Sequence, residues 1–359
     1  SKYNINYEEF LKIWNKIKGF IPENIIDEMQ GVSDGSGVLF EKIAVAQTVR
    51  MKYHCLIVSI SKNASINGKL YFARSLDWSS PIKNFTTKKY LNNHIMFVRN
   101  PINGFASMFP GYAGFIVSYG GLNENGICIA ASGSWSSDET YYGLTERFRI
   151  KEVLDNAYSI DEALVLINRN KTCGINFIVS DSKTNESVVV EQTANITYVG
   201  KHNSSVESNK PCFKIDNVLR RTNFFINKTT AKTQRYSFDP RSPLNLLVIF
   251  KTKHKYGLSS SLPLLYYIHY KVISRFIIKN YGKLDLNNTM FMIRNLYSGK
   301  NNMIFKLNNF ILKNFETGYY PSHQWVCCPE TGDMIISFSE SKKCAFQNSI
   351  HLFNLFYFL

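Results

Sequence analysis

Apolar side chains recur at helical spacing at the start of the chain, at Phe10, Ile13, Trp14 and Ile17 and then, after Pro22, at Ile25, Ile26 and Met29. The spacing predicts helix over 5–30, broken by Gly31, Gly35 and Gly37, and a short helix from Leu39 to Thr48. The period then changes. From Cys55 the run CLIVSIS reads as a strand, and Asn67-Gly68 is a type I′ hairpin signal leading into a second strand, KLYFARSLDW. Strand-like runs follow at His94–Val98, Gly114–Tyr119 and Gly126–Ala131. Thr145–Asn168 reads as one or two helices whose apolar face is Leu154, Ala157, Ile160, Ala163, Leu164 and Ile167. Strands are predicted again at Gly174–Ser180, Ser187–Gln192 and Ile196–Val199. Residues 201–262, polar, basic and carrying Pro211, Pro240 and Pro243, read as irregular. Helices at Leu262–Lys279 and Leu286–Leu296 and a hairpin of Gln324–Cys328 with Asp333–Phe338 complete the pattern.

Composition sharpens this in three places. With 359 residues, 45% hydrophobic and 19% charged, the chain can bury a sizeable core and is not a disordered one. Its most apolar stretch, SLPLLYYIHYKVISRFII, carries His269, Lys271 and Arg275 in its middle, which argues against a transmembrane span. The net charge of +15 belongs wholly to residues 55–359, because residues 1–54 hold seven basic and seven acidic side chains. A neutral helical leader, 1–54, thus precedes a basic, strand-rich body, 55–359, and no repeat or linker divides that body further. Its basicity suits an acidic compartment, an anionic surface or nucleic acid. Nucleic acid is disfavoured as a partner: the lysines stand singly, with no aromatic RNA-binding strand, zinc-finger spacing or basic heptads.

The seven cysteines form no CxxC pair and the seven histidines no HExxH, so neither metal nor cofactor is expected. An odd count leaves one thiol unpaired, and the other six admit up to three bridges of open connectivity. Seven N-glycosylation sequons, from Asn63 to Asn287, are compatible with a glycoprotein in a secreted or lysosome-like compartment. The polar start SKYNINYEEF is not a signal peptide, so an exported chain would be numbered from after its removal.

The candidate chemistry gathers at the change of period. A cysteine opening a strand packs as a small hydrophobe in most proteins, but here the returning strand carries Arg74 and Asp77 back beside Cys55. A nucleophilic thiol needs a cation to favour the thiolate and a base to take its proton. Arg74 can be the cation. The base can be the α-amine of Cys55 itself if the His54–Cys55 bond is cut, since that amine titrates near pH 8, at about 7.7–8.0. Asp77 would orient the amine. A plain Arg–Asp pair on a hairpin accounts for the spacing equally well.

HCLIVSISKNASINGKLYFARSLDW resembles the start of the mature chain in N-terminal-nucleophile (Ntn) hydrolases of the acyl-coenzyme A:6-aminopenicillanic acid acyltransferase type. Acid ceramidase, N-acylethanolamine acid amidase and bile salt hydrolases are more distant relatives. FIPENIIDEMQGVSDGSGV is similar to that family's leader, GGLNENGICIA to its strand turn, GINFIVSDSKTNESVVVEQT to a later hairpin, and RRTNFF to the segment that brings an oxyanion-hole asparagine. The resemblance covers about residues 20–225, with a fainter match in NYGKLDL and HQWVCCPETGDMIISF.

What the resemblance implies is an α+β fold, the four-layer αββα sandwich with two antiparallel sheets, and an autocatalytic zymogen. Cleavage between His54 and Cys55 would free residues 1–54 as a propeptide or small subunit, the body's own partner. Cys55 is then the implied nucleophile, with Arg74, Asp77 and Asn223 as the other catalytic residues. The implied reaction is hydrolysis or acyl transfer on a small-molecule, possibly lipid-like, acyl amide through an acyl-thioester. A lipid amidase of the ceramidase or N-acylethanolamine type, and an inactive lipid- or surface-binding protein on the same fold, stand as alternatives. Two departures bear on them: Leu56 stands where relatives carry Ser or Thr, and the family's second arginine has no clear counterpart among His269, Arg275 and Arg235. Asn123 reads as a turn residue or a substrate contact. Trp78 and Trp135 read as core or pocket walls and His323 as a strand-end side chain.

Overall fold

The computed structural model describes residues 7–48, 53–81, 93–234, 263–298, 317–340 and 343–359. Three helices come first: α1 (Tyr7–Ile17), α2 (Glu23–Ser36) and α3 (Phe40–Thr48). Pro22 begins α2 with the extended backbone an N-cap residue needs. The expected break at Gly31 and Gly35 does not occur, and α2 runs through both. Each interior glycine costs about 1 kcal/mol of helix propensity, but buried Ile25, Met29 and Ser33 hold the helix down along its length. The stop is Gly37, whose left-handed φ of 68° lets its N–H reach the Ser33 carbonyl.

The body contains two antiparallel sheets. β1 (Tyr53–Lys62), β2 (Gly68–Pro81), β10 (Val218–Arg221), β11 (Thr317–Cys328), β12 (Asp333–Phe338) and β13 (His351–Asn354) form a six-stranded sheet in the order β10-β1-β2-β11-β12-β13. β3 (His94–Arg99), β4 (Ser107–Tyr112), β5 (Gly120–Asn123), β6 (Ile127–Gly133), β7 (Ile175–Asp181), β8 (Glu186–Gln192) and β9 (Thr197–Gly200) form a seven-stranded sheet in sequence order. Strand alternation sorts the apolar residues into three layers. Ile57, Phe72, Met108, Cys128, Ile178, Trp325 and Cys327 fill the space between the sheets. Leu56, Val58 and Ala73 face outward onto α7 (Pro263–Lys279) and α8 (Leu286–Ser298). Ile129, Phe177 and Val190 face outward the other way, onto α4 (Glu146–Asn156) and α5 (Ile160–Ile167). The fold is therefore the four-layer αββα sandwich. A short helix, α6 (Lys228–Lys232), follows β10 within the stretch expected to be irregular.

Two local expectations need correcting. The run 114–119 is not a strand; the strand is β4, which ends at Tyr112, and Ile116 and Val117 instead pack against the leader helices. The β1–β2 connection is also wider than a two-residue I′ turn. Lys62 pairs with Gly68, residues 63–67 lie between them, and of the pair Asn67-Gly68 only the glycine has positive φ, 75°. Among the described residues no helix is long and apolar enough to cross a membrane.

The leader lies on the body as a cluster of its own, in which Trp14, Ile17, Ile25 and Met29 meet Ile116, Val117, Leu144 and Phe148. Gln47, fully buried at the end of α3, ties it down: its amide donates to the Gly114 carbonyl at 2.8 Å and accepts from the Ile116 N–H at 3.1 Å.

Candidate active site

Cys55 pairs with Leu76 across β1 and β2, and Leu76 in turn pairs with His323 on β11. Directly opposed residues share a sheet face. Cys55, Arg74 and His323 thus all point into the space between the sheets, where Cys55 and Leu76 touch Tyr119 from the other side. Arg74, wholly buried, places Nη2 3.1 Å from Cys55 Sγ and 3.0 Å from the Ala131 carbonyl. Its guanidinium lies 5.3 Å from the Tyr119 ring centroid, and its Nε and Nη1 have no hydrogen-bond partner among the described residues. The thiol is 2% exposed. Burial pushes its pKa up to about 12 against the opposing pull of Arg74, so in the intact chain the sulfur keeps its proton.

Asn223 closes the other side. Its Oδ1 accepts the Cys55 backbone N–H at 2.8 Å and its Nδ2 donates to the Gly133 carbonyl at 2.8 Å. Two buried side chains hold the segment on both flanks of it. Asn176 on β7 donates to the carbonyls of Thr222 and Phe224, each at 2.9 Å. Glu191 on β8 accepts from Arg221, from the N–H groups of Ile226 and Asn227, and from the Thr230 hydroxyl. Glu207 completes a buried ion cluster with Arg221. No local sequence signal marks Asn176, Glu191 or Glu207 for this part.

Asp77 sits one residue beyond Leu76 and so faces the opposite side of the sheet, toward α8. Its carboxylate accepts from the Ser75 hydroxyl at 2.7 Å and from the Tyr297 hydroxyl in a short contact. Burial raises its pKa to about 6 against the lowering effects of those two hydroxyls and Arg74. In the intact chain the Cys55 N–H is held by Asn223 Oδ1, and the Asp77 carboxylate is bonded on the other face of β2. Tyr297, on α8 and 220 residues away in sequence, is a partner that no local pattern announces. His54 is described by its backbone, which pairs with Asp77 within the unbroken strand β1.

The other candidates separate. Asn123 is fully buried and spent on structure: Nδ2 donates to the Leu154 and Ala157 carbonyls and Oδ1 accepts from the Ile127 N–H, which fixes the β5–β6 turn against α4. His269 is buried edge-on to Tyr297 at 5.6 Å, on the helix side of the sheet, and burial lowers its pKa to about 4. Arg275 is exposed, because Ile273 and Ile277 turn the inner face of α7 onto the sheet, and it lies away from Cys55. Arg235 and the Trp78 side chain lie outside the described residues. Trp135 is a wall residue, packed 6.4 Å from Tyr266.

Next to the sulfur lies a cleft lined by Tyr112, Phe115, Val117, Ser118, Tyr119, Arg147 and His323, with accessible space for about one water molecule. The leader reaches this wall, since Arg147 donates to the Gln47 carbonyl at 2.6 Å.

A family model described as acyl-coenzyme A:6-aminopenicillanic acid acyl-transferase matches residues 67–300, about two thirds of the chain. The chain belongs to this acyl-transferase family. Its members are Ntn hydrolases, as the resemblance drawn from the sequence implies. The match begins after Cys55, which stands outside it. Protein dcd1B of Dictyostelium discoideum is 27% identical over 188 residues, which are 50% of this chain and 36% of that protein; the chain spans only about a third of this curated relative. Among solved structures, a mutant conjugated bile acid hydrolase from Clostridium perfringens aligns at 14% identity and a TM-score of 0.47, covering 84% of this chain and 93% of the other. An N-acylethanolamine-hydrolyzing acid amidase ortholog from Caenorhabditis elegans aligns at 16% and 0.43, covering 83% and 100%.

Proposed function

We propose that the chain is an autoprocessed N-terminal-cysteine amidohydrolase or acyltransferase of non-peptide acyl amides. The observation that carries this reading is the joint geometry at Cys55, with a buried guanidinium 3.1 Å from its sulfur and an asparagine oxygen 2.8 Å from its nitrogen. In the first stage the thiol adds to the His54 carbonyl and the acyl group shifts from nitrogen to sulfur. Water then releases residues 1–54. The nitrogen, now an amine still facing Asn223 Oδ1, becomes the base for the thiol of its own residue. In the second stage the thiolate attacks the acyl amide, the amine product leaves, and water or a second amine resolves the thioester. The oxyanion needs a donor. Asn223 Nδ2, presently on the Gly133 carbonyl, can serve after a small turn of its amide.

The closed cleft and the protonated thiol of the intact chain are consistent with a precursor that is silent until cut. A secreted or lysosome-like compartment is proposed on the basic body and the N-glycosylation sequons. The acyl amide is the partner sought, lipid-like on the reading of a basic, aromatic-rich body.

Processing is read on a denaturing gel with N-terminal sequencing. Of the 41.3 kDa chain, the wild type is expected to yield a fragment of about 35 kDa, scaled by its share of the residues, that begins at Cys55. Cys55→Ala is expected to stay whole. A Cys55→Ala chain that still splits before residue 55 ends this mechanism.

A further inference from the structure

His323 is 1% exposed and lines the cleft beside Cys55, yet neither ring nitrogen has a hydrogen-bond partner among the described residues. Buried polar atoms in folded proteins are nearly always paired, so two on one ring call for an explanation. The ring sits among aromatic side chains, 6.5 Å from Tyr112, 6.2 Å edge-on from His94 and 6.4 Å edge-on from Phe338, and it stands in the same cross-strand row as Cys55 and Leu76. Two strand spacings put it about 10 Å from Cys55 on the same face of the sheet. His94 is engaged differently, with Nε2 3.0 Å from the Ser339 hydroxyl.

Burial, with Arg74 and His94 nearby, holds the His323 pKa well below its ordinary value, so the ring is a neutral imidazole. Neutral imidazole offers one donor and one acceptor. A carboxylate can satisfy only the donor. The two nitrogens point to opposite edges of the ring, so a single group meets one of them, and a hydroxyl can meet either the donor or the acceptor.

We propose that His323 is a specificity-determining residue that hydrogen-bonds a hydroxyl or amide group of the substrate, held in the cleft between Tyr112 and Tyr119 beside Cys55. The inference rests on the proposed reading of Cys55 as the nucleophile and adds the chemistry of the group bound next to it.

The test uses the processed protein and two matched alkylating probes, N-(2-hydroxyethyl)chloroacetamide and N-propylchloroacetamide, which differ by a hydroxyl in place of a methyl. In each the Cys55 thiolate displaces chloride and a carbon–sulfur bond forms, so labelling does not depend on knowing the substrate. Peptide mapping gives the rate at Cys55. The wild type is expected to react about tenfold faster with the hydroxyethyl probe, the size of one net hydrogen bond. In His323→Phe, purified in its cleaved form, the two rates are expected to fall within twofold of each other. His323→Gln, which keeps a donor and an acceptor, is expected to retain a preference of at least threefold, and it carries the test should the phenylalanine variant fail to fold. A wild type without preference, or a preference that survives His323→Phe, overturns the proposal. A wild-type chain that stays whole and whose Cys55 takes neither probe overturns the nucleophile reading, and this inference with it.

Discussion

Asp77→Asn is expected to stabilise the protein at neutral pH and to destabilise it slightly in acid. The carboxyl is buried, and its pKa rises from 3.8 to about 6 on folding. A carboxyl whose folded pKa is the higher one binds its proton more tightly in the native state, so stability falls as pH rises through the window from about 4 to 6. Two units correspond to about 3 kcal/mol, absent below the window and fully present above it. Asparagine never ionises and removes that penalty. In exchange it weakens one of the two hydroxyl contacts from Ser75 and Tyr297, at a cost of about 1 kcal/mol. The balance is a gain of about 2 kcal/mol at pH 7.5 and a loss of about 1 kcal/mol at pH 3.5–4. With an unfolding entropy of about 2.1 cal/mol/K per residue over a chain of this length, these become shifts of about +3 and −1 °C. Thermal scans of both chains, in a Cys55→Ala background so that no cleavage intervenes, give the answer directly. A variant that melts below its parent at every pH, with no crossing between 4 and 6, refutes the placement of Asp77 as a strained buried carboxylate. Cleavage before Cys55 measured on Asp77→Asn alone then shows whether the charge is needed for chemistry as well.

Two further outcomes follow from the same geometry. Arg74→Met removes the cation bonded to the sulfur and is expected to slow iodoacetamide alkylation of Cys55 at least tenfold, by peptide mapping, because the thiol pKa rises further. Its stability is expected to stay within about 1 kcal/mol of the wild type, since two of the three guanidinium nitrogens have no partner to lose. Asn176→Ala strands the Thr222 and Phe224 carbonyls in the interior and is expected to lose about 3 kcal/mol by denaturant titration, with cleavage before Cys55 slowed at least tenfold on a gel time course.

The sheets were legible where β-branched and aromatic runs were bounded by marked turns. CLIVSIS, KLYFARSLDW and GINFIVSD are such runs, and a sequence reader finds β1, β2 and β7 from them. β4 was hidden because SMFPGY has a proline in mid-strand and no β-branched residue. The run 114–119 looked like a strand for the opposite reason: its apolar residues serve packing against the leader rather than a ladder. At the site, Cys55 and Arg74 were legible because one hairpin joins them. Asn223 followed from the family resemblance. Asn176 and Tyr297 were not legible, because each acts on a residue 46 or more positions away through a single hydrogen bond that only the folded topology creates.

The two faces of β2 divide the labour of the site. Arg74 and Leu76 look inward to the sulfur, while Ser75 and Asp77 look outward to α8, so the cation and the carboxylate that seem paired in sequence never meet as an ion pair across the hairpin. Arg74 accordingly has no carboxylate bonded to it among the described residues, and the charge it can best neutralise is a thiolate at Cys55. Burial of the thiol works against that charge and prevails while the Cys55 nitrogen is an amide, which can take no proton. An amine at the same place changes the balance without moving any other group. The proton then has an acceptor on the same residue, Asn223 Oδ1 holds that acceptor in position, and the guanidinium receives the anion it lacks. On the proposed reading, cutting the peptide bond before Cys55 supplies the base that this arrangement of cation, buried thiol and oriented nitrogen lacks.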